Sequence, residues 1–319
     1  MPQLSLAGYY LTYDEEFTNP ALFITSANGS IGYANSYSFG RTLPSNNEAE
    51  YYVDPNAGPS PFSVQNGELT ITAQPALVGQ YTAGLPYSSG VITTAGSFSQ
   101  NTGYFEMRAE TTGVQGFWSA FWMLPVGGGG NPELDVMEQP NLEGNNSYWS
   151  YANPSAVFKG GGFNDTGENL SAGYHTYGLL WTTTSVSFYL DGLQIGPTVV
   201  MPPNFTQQMY MIVNLAVGGA GSWPGQPTST TTAQYKIDYI RAYSLDPAVP
   251  AVALQTISSP DGVNTTPSYT APLPIIPPLW AAAPTRLFCK FRRITGRAMR
   301  SSPSALMACR RRRLPMRLD

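Results

Sequence analysis

Three carboxylates fall within six residues in Asn131-Pro132-Glu133-Leu134-Asp135-Val136-Met137-Glu138-Gln139-Pro140, in a chain where only 11% of residues are charged. Prolines bracket the stretch, and apolar residues fill the gaps between the acids. This is the pattern of a strand of ~5–6 residues, punctuated at both ends. Strand side chains alternate faces, so Glu133 and Asp135 point the same way. Glu138 lies five positions after Glu133 and, in a regular strand, points the other way. One extra residue near Val136 or Met137, a β-bulge, rotates Glu138 back to the shared face.

Three carboxylates on one sheet face repel one another. Crowding raises at least one pKa, so that one group stays protonated near neutral pH while another is ionised. A proton donor and a nucleophile side by side is what cleavage of a glycosidic bond with retention requires. On its own, Glu-x-Asp-x-x-Glu also fits a solvated edge strand. The residues upstream favour a site: Gln115-Gly116-Phe117-Trp118-Ser119-Ala120-Phe121-Trp122-Met123-Leu124-Pro125 is aromatic and uncharged.

With this Trp-rich run, Glu133-Leu134-Asp135-Val136-Met137-Glu138 resembles glycoside hydrolase family 16, the laminarinase-like β-glucanases and their relatives. The extra residue between the second and third acids places the chain beside the bulged branch of that family. Other stretches carry the resemblance over residues 9–244. Asn46-Asn47-Glu48-Ala49-Glu50-Tyr51-Tyr52 resembles a segment beside the sugar cleft, with Glu50 where Gln is common. Ser89-Gly90-Val91-Ile92 has Val91 in place of a basic residue. Tyr174-His175-Thr176-Tyr177 and Phe188-Tyr189-Leu190-Asp191-Gly192 read as a hairpin. Asn214-Leu215-Ala216-Val217-Gly218-Gly219 and Trp223-Pro224-Gly225 match closely. Lys236-Ile237-Asp238-Tyr239-Ile240-Arg241 resembles the closing strand.

At least nine strand-like segments between turn signals, with almost no helical periodicity, argue an all-β antiparallel β-sandwich. The resemblance implies a concanavalin-like jelly roll whose concave sheet forms the cleft. It implies Glu133 as nucleophile, Asp135 as the residue orienting it, and Glu138 as acid/base. Trp118, Trp122, Trp223 and Asn46 are expected to contact substrate. His175, the only histidine, reads two ways: as a substrate contact or base, and as a hydrogen-bonded structural residue. Catalysis in the family needs no cofactor, and many relatives hold a structural calcium ion, which here falls to Asp238. Glu106 and Arg108 share a face and are expected to pair on the surface.

Charge is distributed unevenly. Residues 1–285 hold 5 of 16 Lys and Arg but 19 of 20 Asp and Glu, a net charge of −14. An acidic body does not suit phosphate binding and suits a protein acting on neutral sugar polymers. No run of ~18 apolar residues suggests a membrane span. Both cysteines, Cys289 and Cys309, lie outside the body. The opening residues lack the charged and apolar regions of a signal peptide, whereas the resemblance implies a secreted protein. Residues 245–285, rich in Pro, Ala, Ser and Thr, read as a linker. Residues 286–319, with Arg310-Arg311-Arg312-Arg313, read as a disordered basic tail. The expectation is a monomeric endo-acting hydrolase of β-1,3- or mixed β-1,3/1,4-glucan. Hydrolysis of an exopolysaccharide or galactan, transglycosylation on the same site, and glycan binding without catalysis stay open.

Overall fold

The computed structural model describes residues 2–18, 40–54, 58–128, 132–140, 146–155, 157, 159–203, 205, 207–228, 230–248 and 252–253. The basic stretch 286–319 and most of 245–285 lie outside them.

Among the described residues seventeen strands, numbered in chain order, form two sheets. The smaller is antiparallel throughout. Its order is β11 (Gly160–Asp165), β10 (Ser147–Asn153), β9 (Glu133–Gln139), β8 (Phe117–Pro125), β15 (Met209–Val217) and β6 (Val91–Thr93). The larger sheet runs β14 (Leu193–Val200), β13 (Ser185–Leu190), β12 (His175–Trp181), β7 (Gly103–Glu110), β16 (Ala233–Ser244), β4 (Glu68–Pro75), β5 (Tyr87–Ser89) and β2 (Glu50–Tyr52). Beside this path, β1 (Tyr10–Glu15) pairs with β16, β17 (Val252–Ala253) with β1, and β3 (Phe62–Gln65) with β4. The regular helical structure among the described residues is one 3-10 turn, Pro44–Asn46. No helix of these residues is long and apolar enough to cross a membrane.

Alternation builds the sandwich. Phe117, Phe121 and Met123 of β8 and Met211, Val213 and Leu215 of β15 face inward. They meet Phe105 and Met107 of β7 and Ile237 and Ile240 of β16 in one core. Each such side chain removed from water contributes ~1.5–3 kcal/mol. The intervening residues of β8 and β15 point outward, yet most are buried as well. Trp118, Ala120, Trp122, Ile212 and Ala216 make a second apolar cluster with Tyr52 and Val91 on the outer face of the smaller sheet. This outer face is apolar and buried rather than solvated.

The outer face of the larger sheet is closed differently. Tyr104, Tyr189 and Tyr243 are covered by Leu4, Leu6 and Tyr9 near the chain start. Glu106 does not pair with Arg108 as expected. It is buried and accepts a hydrogen bond from the Tyr243 hydroxyl at 3.0 Å, while Arg108 pairs with Asp238.

Candidate active site

The bulge in β9 sets the site. Against β8, Phe121 stands opposite Met137 and Trp122 opposite Asp135, so Val136 is the extra residue. Against β10, Trp149 stands opposite Glu138 and Tyr151 opposite Asp135, with the same surplus. Leu134, Val136 and Met137 all enter the core. Asp135 and Glu138 therefore share the outer face with Glu133, which precedes Asp135 by two. The bulge stands where the acid spacing predicted it.

Burial and mutual repulsion govern the three acids. Asp135 is 6% exposed, and its pKa is raised well above the usual carboxylate range by burial, then by the Glu138 and Glu133 charges. Glu138 is pushed up to about 8, by burial first, then by Glu133 and Glu48, against a smaller opposing effect of Trp118. Glu133 is raised by burial alone. Burial first, and the Glu133 charge second, hold the Glu138 proton on at neutral pH.

Trp118 supplies more than a wall. Its indole N–H is buried without a hydrogen-bond partner, close enough to Glu138 to favour that group's ionised form. The Trp122 indole donates to Asn214 Oδ1 at 2.8 Å, and Asn214 Nδ2 donates to the Tyr52 hydroxyl at 2.9 Å. Both tryptophans are over nine-tenths buried, so they form the floor of the cleft. Trp223 is 36% exposed, with its ring 5.1 Å from that of Trp118, and stands at the rim.

Beside the floor lies a second acid pair. Glu50 is fully buried and accepts from the Val217 N–H at 2.7 Å. Its carboxyl group is held inside the fold by that backbone N–H. Glu48 accepts from the Leu43 N–H at 3.0 Å and from Asn46 Nδ2 at 3.2 Å. Asn46 thus braces an acid whose charge reaches Glu138. Val91, where the family resemblance led to a basic residue, is buried in the floor.

Two expected residues stand elsewhere. His175 opens β12 in the larger sheet, with Nδ1 2.8 Å from Asp191 Oδ2. Asp191 also accepts from the Thr176 N–H at 2.8 Å. His175 is thus hydrogen-bonded on a strand of the larger sheet, whereas the acids lie on the smaller one. Asp238 lies on β16 in the same sheet, and its carboxylate is taken by the Arg108 guanidinium, which also stacks 4.7 Å from the Tyr174 ring centre. A guanidinium already neutralises the carboxylate expected to bind calcium. Among the described residues no cluster of acids, His or Cys assembles a metal site. Asp238 is held in an ion pair.

Three further aromatics stand beside the acids, where the sequence alone does not place them. Trp149 and Tyr151 lie beside Glu138 and Asp135, and Phe163 of β11 lies opposite Trp149. Their signal was the i, i+2 aromatic pair followed by Gly160-Gly161-Gly162, an open-surfaced edge strand.

The family model of Glycosyl hydrolases family 16 matches residues 49–241. Among curated proteins, Endo-1,3-1,4-beta-glycanase ExsH of Rhizobium meliloti (strain 1021) is 41% identical over 223 residues, covering 65% of this chain and 45% of that protein. Endo-1,3-1,4-beta-glycanase EglC of the same organism is 41% identical over 225 residues, with the same coverage. The chain thus spans under half the length of these relatives. Among solved structures, the laminarinase catalytic domain from Thermotoga maritima MSB8 superposes with a TM-score of 0.59 at 28% identity, covering 74% of this chain and 98% of that one. The matched stretch takes in more than half of the chain and holds the bulged acid strand at its centre, and the chain belongs to glycosyl hydrolases family 16.

Proposed function

We propose that the chain is a retaining, endo-acting glycoside hydrolase that cleaves β-1,3- or mixed β-1,3/1,4-glucan by double displacement. The observation that carries the reading is the bulge that brings Glu133, Asp135 and Glu138 to one face of the cleft floor. Glu133 attacks the anomeric carbon while Glu138 donates its proton to the departing glycosidic oxygen. A glycosyl ester on Glu133 results. Glu138, now ionised, takes a proton from water, and the hydroxide formed displaces Glu133, so the product keeps the β configuration. Asp135 holds Glu133 in orientation. Side chains of β9 carry every step, without a cofactor.

The substrate class draws on two supports. The curated relatives are named endo-1,3-1,4-beta-glycanases. The floor is apolar and uncharged at Val91, Trp118 and Trp122, which suits the C–H faces of neutral pyranoses. Residues 1–244 form the catalytic body in this reading, acting as a monomer outside the cell on polysaccharide.

The test is reducing-end release from laminarin, mixed-linkage glucan, agarose and a bacterial exopolysaccharide, with the first product anomer read by NMR. Release from the glucans with the β anomer appearing first is the expected result. Release from agarose or exopolysaccharide alone overturns the substrate, and an α anomer overturns the mechanism.

A further inference from the structure

The cleft does not end at Glu138. Trp149 stands directly across from Glu138 on β10, and Phe163 directly across from Trp149 on β11. Cross-strand neighbours share a face, so both rings lie on the acid face of the sheet. Trp149 and Phe163 rings are 5.2 Å apart, Trp149 and Trp223 6.0 Å, Phe163 and Trp223 5.6 Å, and Trp223 and Trp118 5.1 Å. The rings thus run unbroken from the buried floor beside Glu138 to the open edge of the sheet.

The shelf is left bare. Phe163 is 47% exposed and Trp223 36% exposed. Gly161 lies opposite Tyr151, with φ +129°, and a Cβ there would run into the Ser150 carbonyl. The edge strand therefore carries no side chain over that part of the face. Contiguous exposed aromatic surface of this kind marks a binding site. None of the four rings is ionisable.

We infer that Trp149, Phe163 and Trp223 form a subsite that stacks a neutral pyranose ring of the substrate on the leaving-group side of the scissile bond. This rests on the hydrolase reading above. The side follows from the strand partners: the shelf adjoins Glu138, which protonates the departing oxygen, whereas the partner of Glu133 on β10 is Asn153. The sugar bonded to the departing oxygen is the one that reaches the shelf. The rings meet edge to face or tilted, at 74°, 88° and 59°, so its apolar C–H face stacks on one exposed ring face while the others flank it, and its hydroxyls point to water at the open edge.

Two measurements test it with Phe163→Ala, a change at an exposed edge position. The first is calorimetric binding of a mixed-linkage glucan heptasaccharide to Glu133→Gln and to the Glu133→Gln/Phe163→Ala double variant. The expected loss is about 3–10-fold in affinity, the range for one aromatic contact, with Phe163→Tyr restoring it. The second is the ratio of kcat/KM on the polymer to kcat/KM on a nitrophenyl oligosaccharide, whose leaving group is not a sugar. That ratio falls about 3–10-fold in Phe163→Ala if the ring binds the leaving sugar. Unchanged affinity overturns the subsite while leaving the hydrolase standing. Equal losses on both substrates overturn the assignment to the leaving-group side. A wild-type protein that neither cleaves nor binds any glucan removes the hydrolase reading, and the subsite with it.

Discussion

Val136 and Met137 are consecutive in β9, yet both are buried in the same core, at 1% and 0% exposure. In a regular strand neighbours face opposite ways. The pair marks the point where β9 gains a residue on both of its partners, and it alone returns Glu138 to the cleft. Deleting Met137 removes the surplus and leaves Glu-Leu-Asp-Val-Glu, in which plain alternation still puts three acids on one face. Glu138 then keeps Ala120 as its partner on β8. The expected outcome is a folded protein with measurable glucanase activity, destabilised by about 2–5 kcal/mol through the lost Met side chain. Inserting one alanine after Met137 turns Glu138 toward the core and is expected to abolish activity. Turnover and thermal unfolding of the two variants check this.

The elevated pKa of Glu138 sets the alkaline limit. A general acid with a pKa near 8 is expected to give a kcat/KM that falls as pH rises through about 8. The same shift costs stability. Between the ordinary carboxyl pKa and about 8 the folded protein holds a proton that the unfolded chain releases, so stability declines with rising pH across that window. Glu138→Gln ends this cost. It is expected to be inactive, with a higher Tm than wild type at pH 8 and little difference at pH 4. Melting curves at the two pH values decide it.

Asn214 joins Trp122 to Tyr52 under the floor. Asn214→Ala removes two buried hydrogen bonds, one from the Trp122 indole and one to the Tyr52 hydroxyl. The expected cost is about 0.5–1.5 kcal/mol of stability per bond lost. Because Trp122 stands across from Asp135, kcat/KM is also expected to fall. Chemical denaturation and kinetics on the same sample measure both.

His175 belongs to the other sheet, so His175→Ala is expected to keep kcat/KM within about two-fold, far from the 10²-fold loss of an acid or base. Its effect is on stability. Asp191, as a hydrogen-bond partner, raises the His175 pKa above its ordinary value against the opposing pull of burial. That contribution is present below the unfolded pKa and is lost as pH rises through the folded one. The Tm difference between wild type and His175→Ala is therefore expected to be larger at pH 5.5 than at pH 9. Asp191 is partly exposed, so the difference is small.

What could be read directly from the chain was whatever depends on local spacing. Glu133, Asp135 and Glu138 are legible because acids are scarce here and strand alternation is a rule of two. The alternating outward positions of Trp118 and Trp122 are legible for the same reason. Sheet membership is not local. His175 and Trp149 both sit in aromatic strand patterns, and only the strand order separates the cleft sheet from the other. Phe163 reaches the site through register with Trp149 across a non-local pair. Arg108 and Asp238 are 130 positions apart, so their ion pair is not legible from spacing. Glu106 reads as a surface acid, and burial beside Tyr243 reverses that.

The central claim is that Glu133 attacks the sugar from a cleft built by the bulge. The most direct measurement is turnover of Glu133→Gln on whichever glucan the wild type cleaves, with thermal unfolding of the same sample. The account predicts a fall of about 10³-fold or more with Tm unchanged or raised, since a crowding charge has been removed. Turnover close to wild type in a folded Glu133→Gln protein would contradict it.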